Sequence, residues 1–268
     1  MTTSAGAIRR SGMYNDPDFN YAHFWRGRGY EHEAEVIAIR RLLNGQRFAH
    51  AVDVGGGFGR LSVVLADYAD KVTLVDPSSQ QLDLSRRLFP DHPAMDRHLM
   101  DAADLQFRDE SVDLVVMIRV LHHLPCPITE LAEVSRILRP GGFAVIEAAN
   151  SAHAVNRVRY LLRRERIPES EVDIRSEEGR RRGNAPYVNH HPRTISRQLA
   201  ECGFRIRRQL SVSNFRHPLA KAVLPERLML AVERAAQEPL ARFHFGPSTF
   251  FLLQKKRTPT PVPAGRSN

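Results

Sequence analysis

Ten residues constrain this chain more than any others: Ala51-Val52-Asp53-Val54-Gly55-Gly56-Gly57-Phe58-Gly59-Arg60. A short apolar run ends in an acid and breaks into glycines, and a helical pattern follows. This is a strand, a tight turn and a helix, the unit that holds a nucleotide-like cofactor at the edge of a parallel sheet. The spacing narrows the cofactor. A dinucleotide fingerprint needs its third glycine or alanine where Arg60 stands, and no Gly-Lys-Ser/Thr follows to grip a nucleoside triphosphate. A glycine loop without those features suits a cofactor that carries no phosphate.

The flanking pattern extends the unit. A helix over about 30–44 precedes the first strand, near 50–54. Further strands are read at 72–76, 98–100, 113–118 and 143–147, alternating with helices near 61–68, 78–89 and 128–138, the last closed by Arg139-Pro140-Gly141-Gly142. Alternation of this kind predicts a parallel sheet with right-handed crossovers, and the continuous apolar runs are those of strands covered on both faces. After Ala149 the pattern changes. Residues 152–189 read as a polar, exposed insert carrying Arg180-Arg181-Arg182. A helix, a sixth strand at 204–210, a helical stretch over 219–240 broken at Pro225 and a seventh strand at 248–253 then follow. Three parts result: an N-terminal segment over 1–45, a domain over 46–255 with the insert at about 152–189, and a disordered basic tail over 256–268.

Charge and cysteines bound the setting. The net charge of +9 comes almost wholly from arginine, since only four lysines are present; the arginines are scattered, so the pattern is that of solvated faces rather than a nucleic-acid groove. Cys126 and Cys202 build no disulfide framework and sit in no metal-ligand spacing, so no metal is expected. No run reaches the length of a membrane span, and the start lacks a secretory apolar core, which points to the cytoplasm.

Two acids stand where a nucleoside would be held. Asp76 ends the second strand and can accept both hydroxyls of a ribose; Ser78 is itself a good helix cap, so Asp76 is not needed for that task. Asp101 follows the third strand and can accept from an adenine amino group while the Ala102 amide faces a ring nitrogen; Asp104 can serve equally on spacing alone.

The series Val52–Gly59, Leu74-Val75-Asp76-Pro77-Ser78, Met100–Phe107, Ser111–Val115, Val120-Leu121-His122-His123-Leu124 and Glu133–Gly142 resembles the class I S-adenosylmethionine-dependent methyltransferases, in the broad subgroup with the ubiquinone and menaquinone C-methyltransferases and many small-molecule enzymes. It covers about residues 50–150. The departures are Met100 and Gln106, where the subgroup has glycine and proline. The resemblance implies a Rossmann-like α/β fold: a seven-stranded, mostly parallel sheet with helices on both faces and the last strand antiparallel between the fifth and sixth. It implies S-adenosyl-L-methionine as cofactor. Gly55, Gly57 and Gly59 would line its methionine part with Asp53, Asp76 and Pro77 its ribose, Asp101 and Ala102 its adenine, and the backbone at Arg119 its ammonium.

The implied reaction is direct methyl displacement, for which alignment matters most and a base only when the nucleophile arrives protonated. Candidate bases are His122 and His123 after the fourth strand, with Tyr187, His190 and His191 as a second polar cluster. The aromatic start (Tyr14, Tyr21, Trp25, Tyr30) would lie over the cofactor as a lid or pack as a strap. A small organic molecule is the expected acceptor. An RNA methyltransferase and an inactive binding protein of the same fold are the alternatives. The sequence carries no oligomer signal.

Overall fold

The computed structural model describes Tyr14, Trp25 and residues 27–90, 95–182 and 184–257. Tyr21 of the aromatic start and the tail from 258 onward lie outside the described residues.

Seven strands make one sheet: β1 (Phe48–Val54), β2 (Ala69–Asp76), β3 (Met95–Leu99), β4 (Val112–Met117), β5 (Leu138–Ala149), β8 (Phe204–Val212) and β9 (Ser248–Lys255), in the order β3-β2-β1-β4-β5-β9-β8. The first five run parallel, and β9 lies antiparallel between β5 and β8. The expected topology is therefore present. Period-two alternation explains why β4 is wholly buried: Leu114 and Val116 enter one apolar layer, Val115 and Met117 the other. The first layer is closed by α1 (Gly29–Leu42), whose Ala34, Ala38, Ile39 and Leu42 share one stripe. The second is closed by α4 (Ile128–Ile137) and α7 (Pro192–Glu201) through Leu131, Val134, Ile195 and Leu199.

Several boundaries differ from the sequence reading. The helix after the glycines is only α2 (Ser62–Leu65), because β2 already begins at Ala69 and the Phe48 amide takes the Tyr68 carbonyl. Arg139–Gly142 extend β5 instead of forming a closing loop: Leu138 pairs with Val112, and a register shift before Leu114 accommodates the stretch. Proline and glycine are tolerated in a strand at such an irregularity. β3 is an edge strand with one neighbour, so its pattern is weak, and it starts at Met95 rather than 98. α3 (Ser79–Leu88) is capped by Ser78, whose hydroxyl accepts from the Gln81 amide.

The polar insert has structure of its own. α5 (Ala154–Leu162), the strand pair β6 (Val172–Asp173) and β7 (Val188–Asn189), and α6 (Glu177–Arg181) fill it. A bridge between Asn150 and His190 brings it back to the end of β5, so Tyr187 and Asn189 overhang the sheet's C-terminal edge. In the arginine run, Arg181 and Arg182 pair with Glu177 and Glu178 one turn back; such exposed pairs contribute little. Pro225 separates α8 (Pro218–Val223) from α9 (Glu226–Ala241). Among the described residues, no helix is long and apolar enough to cross a membrane.

Candidate active site

The C-terminal ends of β1, β2 and β4 surround a cavity whose empty space, with the open mouth counted, is about 750 Å³. Its floor is the glycine turn. Gly55 and Gly57 have φ of +68° and +59°, a region that disfavours side chains, and a Cβ on Gly55 would lie 2.4 Å from Cγ2 of Val120. The turn is tied to β2 through Asp76. One carboxylate oxygen accepts the Gly57 amide and the other the Ser78 amide, both at 2.9 Å. Burial pushes the Asp76 carboxyl up to about 6, against the pull of those two amides. Asp101 also lines the cavity and accepts the Ala103 amide at 2.8 Å, whereas Asp104 is exposed and does not line it; the structure thus separates two acids that spacing left equal.

A smaller recess adjoins it, lined by Asp53, Gly55–Gly57, Arg60 and Arg119. Asp53 accepts the Ser62 hydroxyl at 2.6 Å, and burial raises its carboxyl to about 6. A buried ion network forms the recess wall. Glu35 of α1 holds Arg119 Nε at 2.6 Å with one oxygen and Arg60 at 2.5 Å with the other, and Trp25 lies against both guanidinium groups, 3.7 Å from that of Arg60. Arg119 has φ +60°, and its amide donates to Glu147 of β5 at 3.1 Å.

A third cavity, of about 440 Å³ including its mouth, opens on the other side of Arg119. His122, Glu147, His153, Tyr187 and Arg216 are on its walls. Arg119 lines all three spaces, so they meet at one residue. Burial first, then His123, Arg119 and His190, hold His122 well below the ordinary histidine range, so its ring is neutral near pH 7. Burial, with Arg216 and Arg159, likewise takes His153 down to about 4.

The histidines divide by their partners. His122 packs on Tyr187, with ring centroids 4.6 Å apart, and makes no hydrogen bond among the described residues. His123 has both nitrogens engaged: Nδ1 donates to the Pro186 carbonyl, which leaves Nε2 to accept the Tyr14 hydroxyl, each at 2.9 Å. His190 is buried and bonds the Leu121 carbonyl at 2.9 Å, off the cavity walls. His191 caps α7.

Most residues singled out in the sequence converge here. Gly55, Gly57, Asp76, Pro77, Asp101, Ala102, Arg119 and His123 line the first cavity, Asp53 the recess, His122 and Tyr187 the third. Gly59 does not line them. Its φ of +88° turns the chain, and a Cβ there would meet Ser85 at 3.0 Å. Tyr30 is not a wall either, because its hydroxyl is buried against Glu233 at 2.7 Å and ties α1 to α9. Tyr14 does reach the first cavity, and its carbonyl accepts the Ser78 hydroxyl at 2.9 Å. Sequence reasoning missed Glu35, Glu147 and Arg216. Only Glu35 had a signal, as an acid beside Ala34 and Ala38 on the apolar stripe of α1.

A family model described as "Methyltransferase domain" matches residues 52–146. The chain is 33% identical over 145 residues to an O-methyltransferase of Penicillium expansum, covering 50% of this chain and 52% of that protein. It is 29% identical over 150 residues to a ubiquinone/menaquinone biosynthesis C-methyltransferase of Rubrivivax gelatinosus, covering 56% and 55%. The chain thus spans about half the length of these curated relatives. Among solved structures, an S-adenosylmethionine-dependent methyltransferase from Mesorhizobium loti superposes with a TM-score of 0.58 at 22% identity, over 85% of this chain and 100% of that one. The cyclase SpnF superposes at 0.56 and 17%, over 84% and 81%. At such identities likeness carries the fold alone, and one neighbour is not named a methyltransferase.

Proposed function

We propose, on the premise that residues 52–146, which match a methyltransferase-domain family model, form the core of a class I S-adenosylmethionine-dependent methyltransferase, that the protein transfers the methyl group of S-adenosyl-L-methionine to a small organic molecule. The observation that carries this reading is the meeting of the cavities at Arg119: a carboxylate-lined pocket on one side, a neutral histidine on the other.

The first cavity suits that cofactor. Asp76 and Asp101 face it, and Arg119 is the one basic Lys or Arg among its described lining residues. Carboxylates there repel phosphates and accept from hydroxyl and amino groups. Asp76 would take the ribose hydroxyls, Asp101 and the Ala102 amide the adenine edge, with Pro77 and Tyr14 as apolar walls. Gly55, Gly57, Asp53 and the Arg119 backbone would surround the methionine part. Once bound, the cofactor supplies a methyl on a positively charged sulfur, which departs as a neutral thioether. The chain's share is to align the acceptor, exclude water and take a proton if one is released.

His122 is the residue placed to take it. Its ring is neutral, and a hydroxyl acceptor in the third cavity would lose its proton to the imidazole as its oxygen gains the methyl. His123 is bound on both sides and acts as a structural wall, and His190 holds the loop beneath the pair. Two free thiols, Cys126 and Cys202, support a reducing, cytoplasmic setting.

Calorimetric titration with S-adenosylmethionine and S-adenosylhomocysteine tests the reading. Binding between ~1 μM and ~1 mM is expected for both; none at millimolar concentration sinks it. With an acceptor found by labelled-methyl transfer, His122→Ala is expected to lower kcat about 100-fold for a hydroxyl acceptor and to leave cofactor affinity unchanged. Because the His122 pKa is depressed, the wild-type rate should stay flat as pH falls through the ordinary histidine range. A drop centred there would remove His122 as the base.

A further inference from the structure

We propose that the third cavity takes an acceptor bearing a single carboxylate, and that Arg216 anchors it. The inference rests on the methyl-transfer reading and names the substrate class for that same site.

Arg216 stands in the loop between β8 and α8 and lines the third cavity with His122, Glu147 and Tyr187. Among the described residues its guanidinium makes no ion pair and no hydrogen bond. Arg119 beside it is committed to Glu35 at 2.6 Å. By surface area Arg216 is exposed, yet enough protein surrounds it that burial, helped by Arg119, lowers its pKa. The residue thus keeps access to solvent while lining the cavity wall. Among the described residues such a guanidinium has only the acidic groups of Glu31, Glu147 and Tyr187 near it and pairs with none of them, so its fork is open to an anionic ligand.

The nearby acids are already occupied. Glu147 accepts the Arg119 amide at 3.1 Å and a hydrogen bond from Ser248. Glu31 holds Lys221 at 2.7 Å through both oxygens. Among the described residues Arg216 is therefore the cavity's uncommitted cation, and its planar fork matches a carboxylate with two parallel hydrogen bonds. A dianion fits less well. One guanidinium neutralises one charge, and Glu147, which also lines the cavity, opposes a second. Within this space, about 440 Å³ with its open mouth counted, a small acid anchored at Arg216 would direct its other end, carrying the nucleophile, toward His122 and Arg119. Arg216 would then set orientation rather than take part in the chemistry, which is the usual division between remote binding and reacting groups.

The test uses the full chain saturated with S-adenosylhomocysteine. Titrations compare 4-hydroxybenzoate and 4-hydroxyphenylacetate with their carboxamides, in wild type, Arg216→Ala and Arg216→Lys. Wild type should bind each acid at least about tenfold tighter than its amide. Arg216→Ala should bind acid and amide alike, with unchanged melting temperature and unchanged affinity for S-adenosylhomocysteine. Arg216→Lys should keep part of the preference as a point charge without the fork. Equal binding of acids and amides by wild type, or a preference that survives in Arg216→Ala, overturns the proposal. So does a lowered melting temperature in Arg216→Ala, which would make the residue structural. If S-adenosylhomocysteine itself fails to bind, the methyl-transfer reading falls and this inference with it. If it binds while no acid is preferred, the assignment of Arg216 alone falls.

Discussion

Asp76→Ala is expected to weaken S-adenosylmethionine binding about 1000-fold, because two hydrogen bonds to a charged acceptor are lost at ~1.5–3 kcal/mol each. The carboxylate already accepts the Gly57 and Ser78 amides, each at 2.9 Å. Its removal also loosens the join between the glycine turn and β2. Asp76→Asn keeps the shape but turns an NH₂ group toward one of those amides, so it should bind little better than alanine. A variant that binds within tenfold of wild type would take Asp76 out of the site.

The same residue predicts a pH dependence of known sign. Burial raises the Asp76 carboxyl to about 6 in the fold from 3.8, and Asp53 moves the same way. Between those values the folded state holds more protons than the unfolded chain, so stability falls as pH rises from about 4 to about 6. Each group contributes roughly 3 kcal/mol across that window. Ribose hydroxyls donate to the ionised carboxylate and favour it. Cofactor affinity should therefore rise as pH climbs through about 6, and proton release should accompany binding below that pH. Titration at pH 5, 6, 7 and 8 with melting curves checks both. Affinity that is flat or falls over this range would show that Asp76 does not meet donors.

Part of this site could be read in the sequence because its chemistry is carried by local backbone geometry. A glycine turn, an acid at a strand end and a second acid after the next strand keep their positions whatever packs around them, and Gly55, Gly57, Asp76 and Asp101 all face the first cavity. Side-chain direction is a tertiary property, which local spacing does not encode. Tyr30 and His190 are the expected residue types near the expected edge, yet each points to a buried partner, Glu233 and the Leu121 carbonyl. His122 and His123 are adjacent in sequence and identical in type; only contacts with Tyr14 and Pro186, far along the chain, tell them apart. Arg60, which spoiled the dinucleotide spacing, has its own use in the pair with Glu35. The start of β5 follows the same logic, since Pro140 and Gly141-Gly142 mark a turn by local chemistry, and β4 pairing with Leu138 and Phe143 on either side carries them within the strand.

Glu35→Ala should cost about 3–5 kcal/mol, the usual loss when one partner of a buried ion pair is removed. Glu35 is 3% exposed, and the two arginines it holds are 11% and 14% exposed. Trp25 lies against both and covers part of each guanidinium. Glu35→Gln keeps the volume and should recover part of the loss. Replacing Glu35, Arg60 and Arg119 together with apolar residues should recover more stability, because the desolvation cost disappears with the charges, while still failing to bind cofactor. The acid limb gives a separate check. Burial pushes the Glu35 carboxyl up, but Arg60 and Arg119 together overcome it and hold it below the ordinary carboxylate range. Its contribution is thus present above the unfolded pKa and lost as pH falls through the depressed folded value. Wild type should lose stability in that acid window more steeply than Glu35→Gln. Function should follow, because Arg119 lines the cofactor cavity, the recess and the third cavity alike. Releasing its guanidinium should weaken S-adenosylhomocysteine binding and acceptor binding in the same variant, although Glu35 lines none of the three cavities. Unchanged affinities in a destabilised Glu35→Gln protein would confine the network to stability and leave the meeting of the cavities to the backbone at Arg119.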